Sequence, residues 1–408
     1  MEIMYPRCCG LDVHKRSVAA CVRRLEADGC LDQETRTFGT MTRDILEMAD
    51  WLAAAGVTHV AMEATGVYWK PIYNLLENRF TLLLVNARHV KHVPGRKTDV
   101  KDCQWLAQLL QAGLLRPSFI PARPQREFRE LTRHRSQLVA EKARVANRLQ
   151  QVLEDANIKL GVVATDILGV SGRDMLRSLV AGEQDPGKLA DLARRQLRSK
   201  IPELRRALEG KVTEHHRFLL GQLLAQVEHL EGQIEALSRR IEELSGPFAP
   251  AREAVVSLPG FEQRAAENVL AEIGADMSVF PSEHHLSSWA GVCPGSNESA
   301  GKRKSGKTTK GNRWLRSALV QAAWAATRKK DSYFQAQYRR LAARRGKKRA
   351  ILAVAHSLLV VIYHMLKTGS TYQDLGGDYF DKLNKNRLVP YLVRRFKDLG
   401  FRVTLEAA

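Results

Sequence analysis

The sequence predicts an α/β domain at the N-terminus, a long helical middle and a mainly α-helical C-terminal region. Three observations predict it. Residues 7 to about 122 alternate short apolar runs with segments of helical periodicity. From Leu220 onward the apolar residues keep a strict 3,4 spacing over several turns. After residue 246 helical patterns return, broken by a Pro-Gly turn and by a glycine-rich, strongly basic segment.

Taken in order, RCCGLDV and SVAACVRRL read as a β-hairpin and ETRTFGTM as a third strand. TRDILEMADWLAAAG has apolar residues at helical spacing. THVAMEA is a strand, YWKPIYNLLENR a helix and FTLLLVNA another strand. DVKDCQWLAQLLQAGLL is a helix for which Asp99 serves as N-cap or first-turn residue. The prolines of PSFIPARPQ mark a linker, and the next segment, from Glu127 to Leu160, is long, charged and helical. These features divide the chain into residues 1–122, 123–246 and 247–408.

The formal net charge of +20 over 408 residues favours polyanionic partners, nucleic acid before anionic membrane. Six cysteines occur without a CxxC pair, which argues against a zinc site and for reduced thiols in a cytoplasmic protein. The N-terminal MEIMYPRCCG lacks the apolar core of a signal peptide. The most apolar stretch, Ala350 to Leu366, is short for a membrane span and contains His356, Ser357 and His364; a buried helix is expected there, and no membrane partner.

Four acids stand out. Asp12 in CCGLDVHK and Glu63 in HVAMEATGVYW each close an apolar run that reads as a strand. Asp99 and Asp102 in GRKTDVKDCQWL are spaced i, i+3 at a helix start and so share one face. Carboxylates from two strand ends and a helix can converge on a hard divalent cation through oxygen ligands. The order of three strands, helix, strand, helix, strand and helix matches the ribonuclease-H-like fold and resembles the core of RuvC-type junction resolvases. That resemblance implies acids on the first and fourth strands and on a late helix, where these four fall. His14 and Lys15 follow Asp12 closely, as phosphate contacts or as turn residues.

In the middle region, Leu220, Val227, Ile234 and Ile241 as a positions put leucine at every d position, namely Leu223, Leu230, Leu237 and Leu244. That choice suits a two-stranded coiled coil with a bias towards parallel. The narrow stripe with charged flanks favours self-association over packing inside the chain. In AVVSLPGFEQRAAENVLAEIG two helices flank Leu258-Pro259-Gly260, which reads as a helix-hairpin-helix holding a DNA phosphate near Gly260, or as an ordinary αα-hairpin.

The segment WAGVCPGSNESAGKRKSGKTTKGNRWLRSALVQAAWAATRKK begins as a loop of small residues and continues as a helix. Between Ala300 and Ala350 the only acid is Asp331. Lys302, Arg303, Lys304, Lys307, Lys310, Arg313 and Arg316 are therefore candidate contacts to a phosphate backbone. Trp314 and Trp324 read as core before base-stacking residues. Gly301 to Thr308 fits the P-loop pattern, but no buried strand precedes it and Gly311 interrupts the helix that a P-loop would open, so nucleotide hydrolysis is rejected. Ser299 sits directly before this basic run, with Ser296 and Ser305 as local competitors. A serine nucleophile needs a base and charge stabilisation; the cations supply only the second, so from spacing alone Ser299 reads as a loop serine.

Together, GLDVHK, MEATGVYW, KTDVKDCQWLAQLL, LPGFEQRAAENVLAEIG, the basic serine segment and KKRAILAVAH resemble the insertion-sequence 110 family of transposases, also called DEDD transposases. Cys103 departs from the family, where alanine is more familiar. The resemblance implies magnesium, with manganese as alternative, held by Asp12, Glu63, Asp99 and Asp102. It implies Ser299 as the nucleophile that forms a covalent link to DNA, and an element-encoded RNA that selects donor and target DNA by base pairing. It implies dimers or tetramers, formed through the coiled coil, acting at the nucleoid. Two other readings compete: a metal-dependent junction endonuclease using water, with no covalent link, and a nucleic-acid-binding scaffold without chemistry.

Overall fold

The computed structural model describes residues 3–405 apart from 65, 88, 89, 91–101, 296, 300 and 384; residues 297–299, 303, 304, 386 and 388 are described as backbone. The chain forms two compact units, Met1–Pro121 and Ala122–Ala408.

The first unit is a five-stranded sheet: β1 (Arg7–Val13), β2 (Ser17–Leu25), β3 (Leu31–Gly39), β4 (His59–Glu63) and β5 (Thr81–Val85). The strand order is β3-β2-β1-β4-β5. The first three strands are antiparallel neighbours, whereas β4 runs parallel to both β1 and β5. This mixed sheet with flanking helices fits a ribonuclease-H-like domain. Alternation along the strands builds two faces. Cys9, Leu11 and Val13 of β1, with Val18, Ala20 and Val22 of β2, meet Ile45, Met48 and Leu52 of α1 (Thr42–Ala54) and Ile72 and Leu76 of α2 (Trp69–Leu76). The opposite face, with Cys8, Cys21 and Ala61, carries α3 (Asp102–Gln111) through Cys103, Ala107 and Leu110.

Gly10 lets α3 sit there. A Cβ on Gly10 would lie 2.3 Å from the Cys103 carbonyl oxygen and 2.4 Å from the Ala107 nitrogen, so any side chain would lift the helix off the sheet. Sequence periodicity anticipates these strands and helices in order. β3 starts earlier than expected, because Leu31 to Gln33 still pair with β2.

Among its described residues the second unit is helical apart from one hairpin and the connecting loops. Its frame is α4 (Arg123–Asp155) and α9 (Glu214–Leu244), which run antiparallel. At one end Phe128 packs with Ile241; in the middle Leu138 and Val145 pack with Val227, Leu230 and Ile234; at the other end Leu149 and Leu153 join Leu220 and Leu224. That last end is roofed by α5 (Leu160–Val163), α6 (Val170–Val180), α7 (Pro186–Asp191) and α8 (Ile201–Ala207). His216 is structural: its ring takes part in the capping box with Thr213, and its Nε2 lies 2.9 Å from the Asp155 carboxylate.

The heptad stripe finds an apolar partner within the chain. The a positions Leu220, Val227, Ile234 and Ile241 are all buried against the chain's own α4, antiparallel, not against a parallel copy. A 3,4 stripe needs an apolar helix opposite, and Phe128, Leu138, Val145 and Leu149 supply one within the chain. Glu231 fixes the register, accepting from Lys142 Nζ at 2.8 Å and from Arg173 at 2.6 Å.

The remainder comprises α10 (Ala249–Val256), α11 (Gln263–Ile273), α12 (Glu283–Ala290), β6 (Asn297–Ser299), β7 (Lys302–Ser305), α13 (Arg313–Ala326), α14 (Tyr333–Arg345), α15 (Lys347–Thr368), α16 (Tyr379–Leu383) and α17 (Lys385–Asp398). The apolar α15 meets the length and hydropathy of a membrane span, yet it packs on α12, α13 and α14 through Ile351, Val354, Leu358 and Ile362. Its apolarity is that of a core helix.

Truncating the α4–α9 seam should unfold the second unit. Leu230→Ala is expected to cost about 2–5 kcal/mol, read from chemical denaturation followed by helical ellipticity. A fall in sedimentation mass with unchanged stability would instead return the stripe to a contact between copies.

Candidate functional site

In the first unit, Leu11 of β1 is aligned with Met62 of β4, so the next residues, Asp12 and Glu63, fall side by side at the ends of two parallel strands. Both belong to the face that carries α3, since they continue Gly10 and Ala61 at a spacing of two. Asp102 is the first residue of α3. That helix runs opposite to β1: Cys8 lies by Ala107, and Gly10 by Cys103. Its N-terminal end thus points to the sheet end of Asp12 and Glu63. The helix dipole favours anionic groups there.

The Asp12 carboxylate lies 3.1 Å from His14 Nε2, which gives His14 a local partner. Asp99 lies outside the described residues. Among the described residues, no group of three or more His, Cys, Asp or Glu side chains stands close enough to hold a metal ion. Asp12 and Glu63 are brought together, while Asp102 does not close a three-carboxylate set with them. The donors fit a hard divalent cation by type, being carboxylates at one end of one sheet. Cys103, next to Asp102, is a packing residue. Burial pushes its thiol up to about 11, with the nearby Cys21 and Asp12 adding to the shift. Burial likewise pushes Cys8 up to about 12.

In the second unit the serine segment is a β-hairpin, where sequence reasoning expects a loop. Glu298 pairs with Arg303 and Ser299 with Lys302, across a tight turn in which Gly301 has φ +72°. Ser299 is therefore the last strand residue before the tip. The hairpin's foot is closed by backbone contact. Gly295 donates to the Lys307 carbonyl at 2.9 Å, and Pro294 and Thr308 form a bridge. A Cβ on Gly311 would stand 2.3 Å from the Gly291 nitrogen, so this pinch requires glycine. Thr308 is in an extended bridge and the next helix begins only at Arg313, which is not P-loop geometry.

The cations of this segment divide by position. Lys302, Lys307, Lys310 and Arg313 are exposed, and Arg316 is half-buried. Arg313 stacks on Trp314, its Cζ 4.7 Å from the ring centre. Trp324, expected in the core, is exposed and lies edge-on to Tyr338. Gly260 (φ +87°) is used for packing: its Cβ would lie 2.2 Å from the Ala322 carbonyl oxygen, so the Pro-Gly turn rests against α13.

A buried ion network, invisible to motif reading, fixes the hairpin's foot. Glu272, 1% exposed, accepts from Arg133 Nε at 2.6 Å and a second Arg133 nitrogen at 2.8 Å. It also accepts from Asn312 Nδ2 at 2.6 Å and pairs with Arg129 Nε at 3.4 Å. Asn312 is also the N-cap of α13, accepting from the Trp314 and Leu315 amides. Arg129 donates to the Ala271 and Glu272 carbonyls at the end of α11. Burial pushes Arg129 down to about 10, against the pull of Glu272, and leaves it charged at neutral pH. Arg135 pairs with Glu267 at 2.8 Å. The sequence signal for this network is a pair of carboxylates among Ala266, Val269, Leu270 and Ile273, all buried positions of α11.

Glu272→Gln should therefore destabilise the second unit by about 3–5 kcal/mol, because it strands two arginines, and Asn312→Ala by about 1 kcal/mol through the lost cap. Denaturant midpoints measure both; a neutral Glu272→Gln would mean the network is solvated. Native alkylation at pH 8 followed by mass spectrometry should modify exposed Cys30 and spare Cys8, Cys9, Cys21 and Cys103. Modified Cys103 would show that α3 is not seated on β1.

Two family models match the chain. A DEDD transposase model of the IS110 group, described as "Transposase", matches residues 9–158, and one described as "Transposase IS116/IS110/IS902 family" matches residues 252–339. The "Insertion element IS110 uncharacterized 43.6 kDa protein" of Streptomyces coelicolor (strain ATCC BAA-471 / A3(2) / M145) is 33% identical over 128 residues, which cover 30% of this chain and 31% of that protein. The match thus spans less than a third of that relative's length. All four acids lie within the first matched segment and Ser299 within the second. With both models matched in order along one polypeptide, the chain belongs to the IS110 family of transposases.

Proposed function

We propose that this chain is the transposase of an insertion element, cutting DNA strands and rejoining them to new partners. The observation that carries the reading is the sheet end at which Asp12 and Glu63 fall side by side, within a segment matched by the DEDD transposase model. Asp12, Glu63, Asp99 and Asp102 would hold magnesium, or manganese in its place. Such an ion, when bound, neutralises phosphate charge and favours loss of a hydroxyl proton.

Ser299 is the proposed nucleophile. Its Oγ bonds to phosphorus as one P–O ester bond of the DNA breaks. The proton lost from Oγ is balanced by the one gained on the released sugar oxygen. The reverse step, with a different strand's hydroxyl as attacker, rejoins DNA and frees the serine. Lys302, Arg303, Lys304, Lys307, Lys310, Arg313 and Arg316 offset the charge of the phosphates around this step. Sequence choice belongs to an RNA encoded by the same element, pairing with donor and target DNA. The lack of a base-reading motif in a chain of net charge +20 supports this division. The three functional regions are 1–122, 123–246 and 247–408, and the protein acts at the nucleoid of the cytoplasm. Two or four copies would act together on two duplexes. Within one chain the a positions of the 220–244 stripe pack on α4, while Leu223, Leu237 and Leu244 stay half-buried on the same helix.

Covalent trapping tests the reading. The protein is mixed with magnesium, RNA from the element's flanks and end-labelled junction DNA, then denatured. A labelled protein band is expected that disappears in Ser299→Ala and on chelation of the metal; Asp12→Asn should lower it at least about a hundredfold. Cleaved DNA without attached protein, equal in wild type and Ser299→Ala, would replace the serine mechanism with water attack.

A further inference from the structure

The foot of the hairpin opens into a groove that shares Lys310 and Arg313 with the proposed cutting step and adds aromatic rings and Arg264, to which that step gives no role. Trp289 and Trp314, with Arg133, Lys310 and Arg313, line a cavity of about 400 Å³. Arg133 and Trp314 also line a cleft of about 710 Å³ between α4, α11 and α13, so the two adjoin through these side chains. Arg264 lines the cleft wall, is exposed, and has neither hydrogen bond nor ion pair among the described residues. Lys310 is likewise exposed at the other end.

Trp314 is half-buried in this groove, with guanidinium groups 4.7 Å (Arg313) and 5.8 Å (Arg133) from its ring centre. Arg133 is committed to Glu272, whereas Arg313 is exposed and can be displaced or stacked upon. A flat indole–guanidinium platform, flanked by unpaired cations, suits a ligand carrying both an aromatic face and phosphates. A stacked duplex offers cations its phosphates but keeps its base faces covered. An acidic peptide would use the cations and leave the indole idle.

We infer that this groove binds an unpaired nucleotide strand, with a base on the Trp314–Arg313 platform and flanking phosphates on Lys310 and Arg264. The inference rests on the proposed action on nucleic acid and adds a site for a strand outside the duplex. DNA displaced during exchange and unpaired RNA share this chemistry.

Fluorescence anisotropy with the full chain, without divalent metal, tests it. The probes are labelled oligo-dT, oligo-U and a duplex of matched length. Trp314→Ala and Arg264→Glu should each weaken binding of at least one unpaired probe roughly tenfold, and duplex binding less than about twofold. Trp314→Phe, which keeps a ring and guards against misfolding, should retain most of the affinity. Stronger dependence for oligo-dT identifies a DNA strand, and for oligo-U an RNA strand. Wild-type affinity in both Trp314→Ala and Arg264→Glu would overturn the groove and leave the proposed function standing. Equal competition by poly-glutamate would overturn it in favour of a general anion site. A wild-type chain binding neither strand nor duplex would sink both readings.

Discussion

The second unit depends on one buried carboxylate. Glu272 joins the long frame helix, through Arg133, to Asn312, which starts the helix behind the serine hairpin. Burying charges costs several kcal/mol per ion unless partners surround them, so such a network tolerates few arrangements of its helices. Hydrophobic contact alone would let α4, α11 and α13 slide by fractions of a turn. Fixed donor directions on a guanidinium and an amide do not. The hairpin's placement relative to α13 is therefore set electrostatically, and its cations are attached to a stiff base.

Glycines do the matching work where backbones meet. Gly10 under α3, Gly260 under α13, and the Gly291–Gly311 pinch are each sites where a Cβ would collide with main chain. In each case the close approach holds a segment of functional interest: the acid-bearing sheet end, the Pro-Gly turn, and the foot of the hairpin. Substituting these glycines would act on function by displacing elements, without touching any chemical group.

The N-terminal sheet is legible in the sequence because its signals are local. Period-two apolar runs, a helix-period stripe and the loops between them give element order, and order gives the acids their positions. What is not legible depends on partners far along the chain. The stripe from Leu220 to Leu244 satisfies heptad arithmetic for a parallel pair of chains. The same arithmetic is satisfied by α4, whose apolar residues are diluted among arginines and glutamines and do not advertise a seam. The serine segment reads as loop from composition, since glycine and serine disfavour strands. Two short strands form there because their ends are pinned by Gly295 to Lys307 and by Gly291 against Gly311, contacts that no local pattern records. Asp102 shows the remaining gap: sequence spacing puts it on one face with Asp99, but spacing does not say how far the helix start stands from Asp12 and Glu63.

The two units differ in how they present charge. In the first, Asp12 and Glu63 fall side by side at one sheet end, towards which the N-terminal end of α3 points. In the second, two acids are buried, Glu272 and Glu267 against Arg133, Arg129 and Arg135, while Lys302, Lys307, Lys310 and Arg264 remain exposed. The basic character follows from composition, Lys and Arg numbering 64 against 44 Asp and Glu over the whole chain. A mutation that freed Glu272 would then do two things at once, loosening the hairpin's foot and lowering the positive potential around it. The stability of the fold and its affinity for polyanions are for that reason coupled through the same side chain.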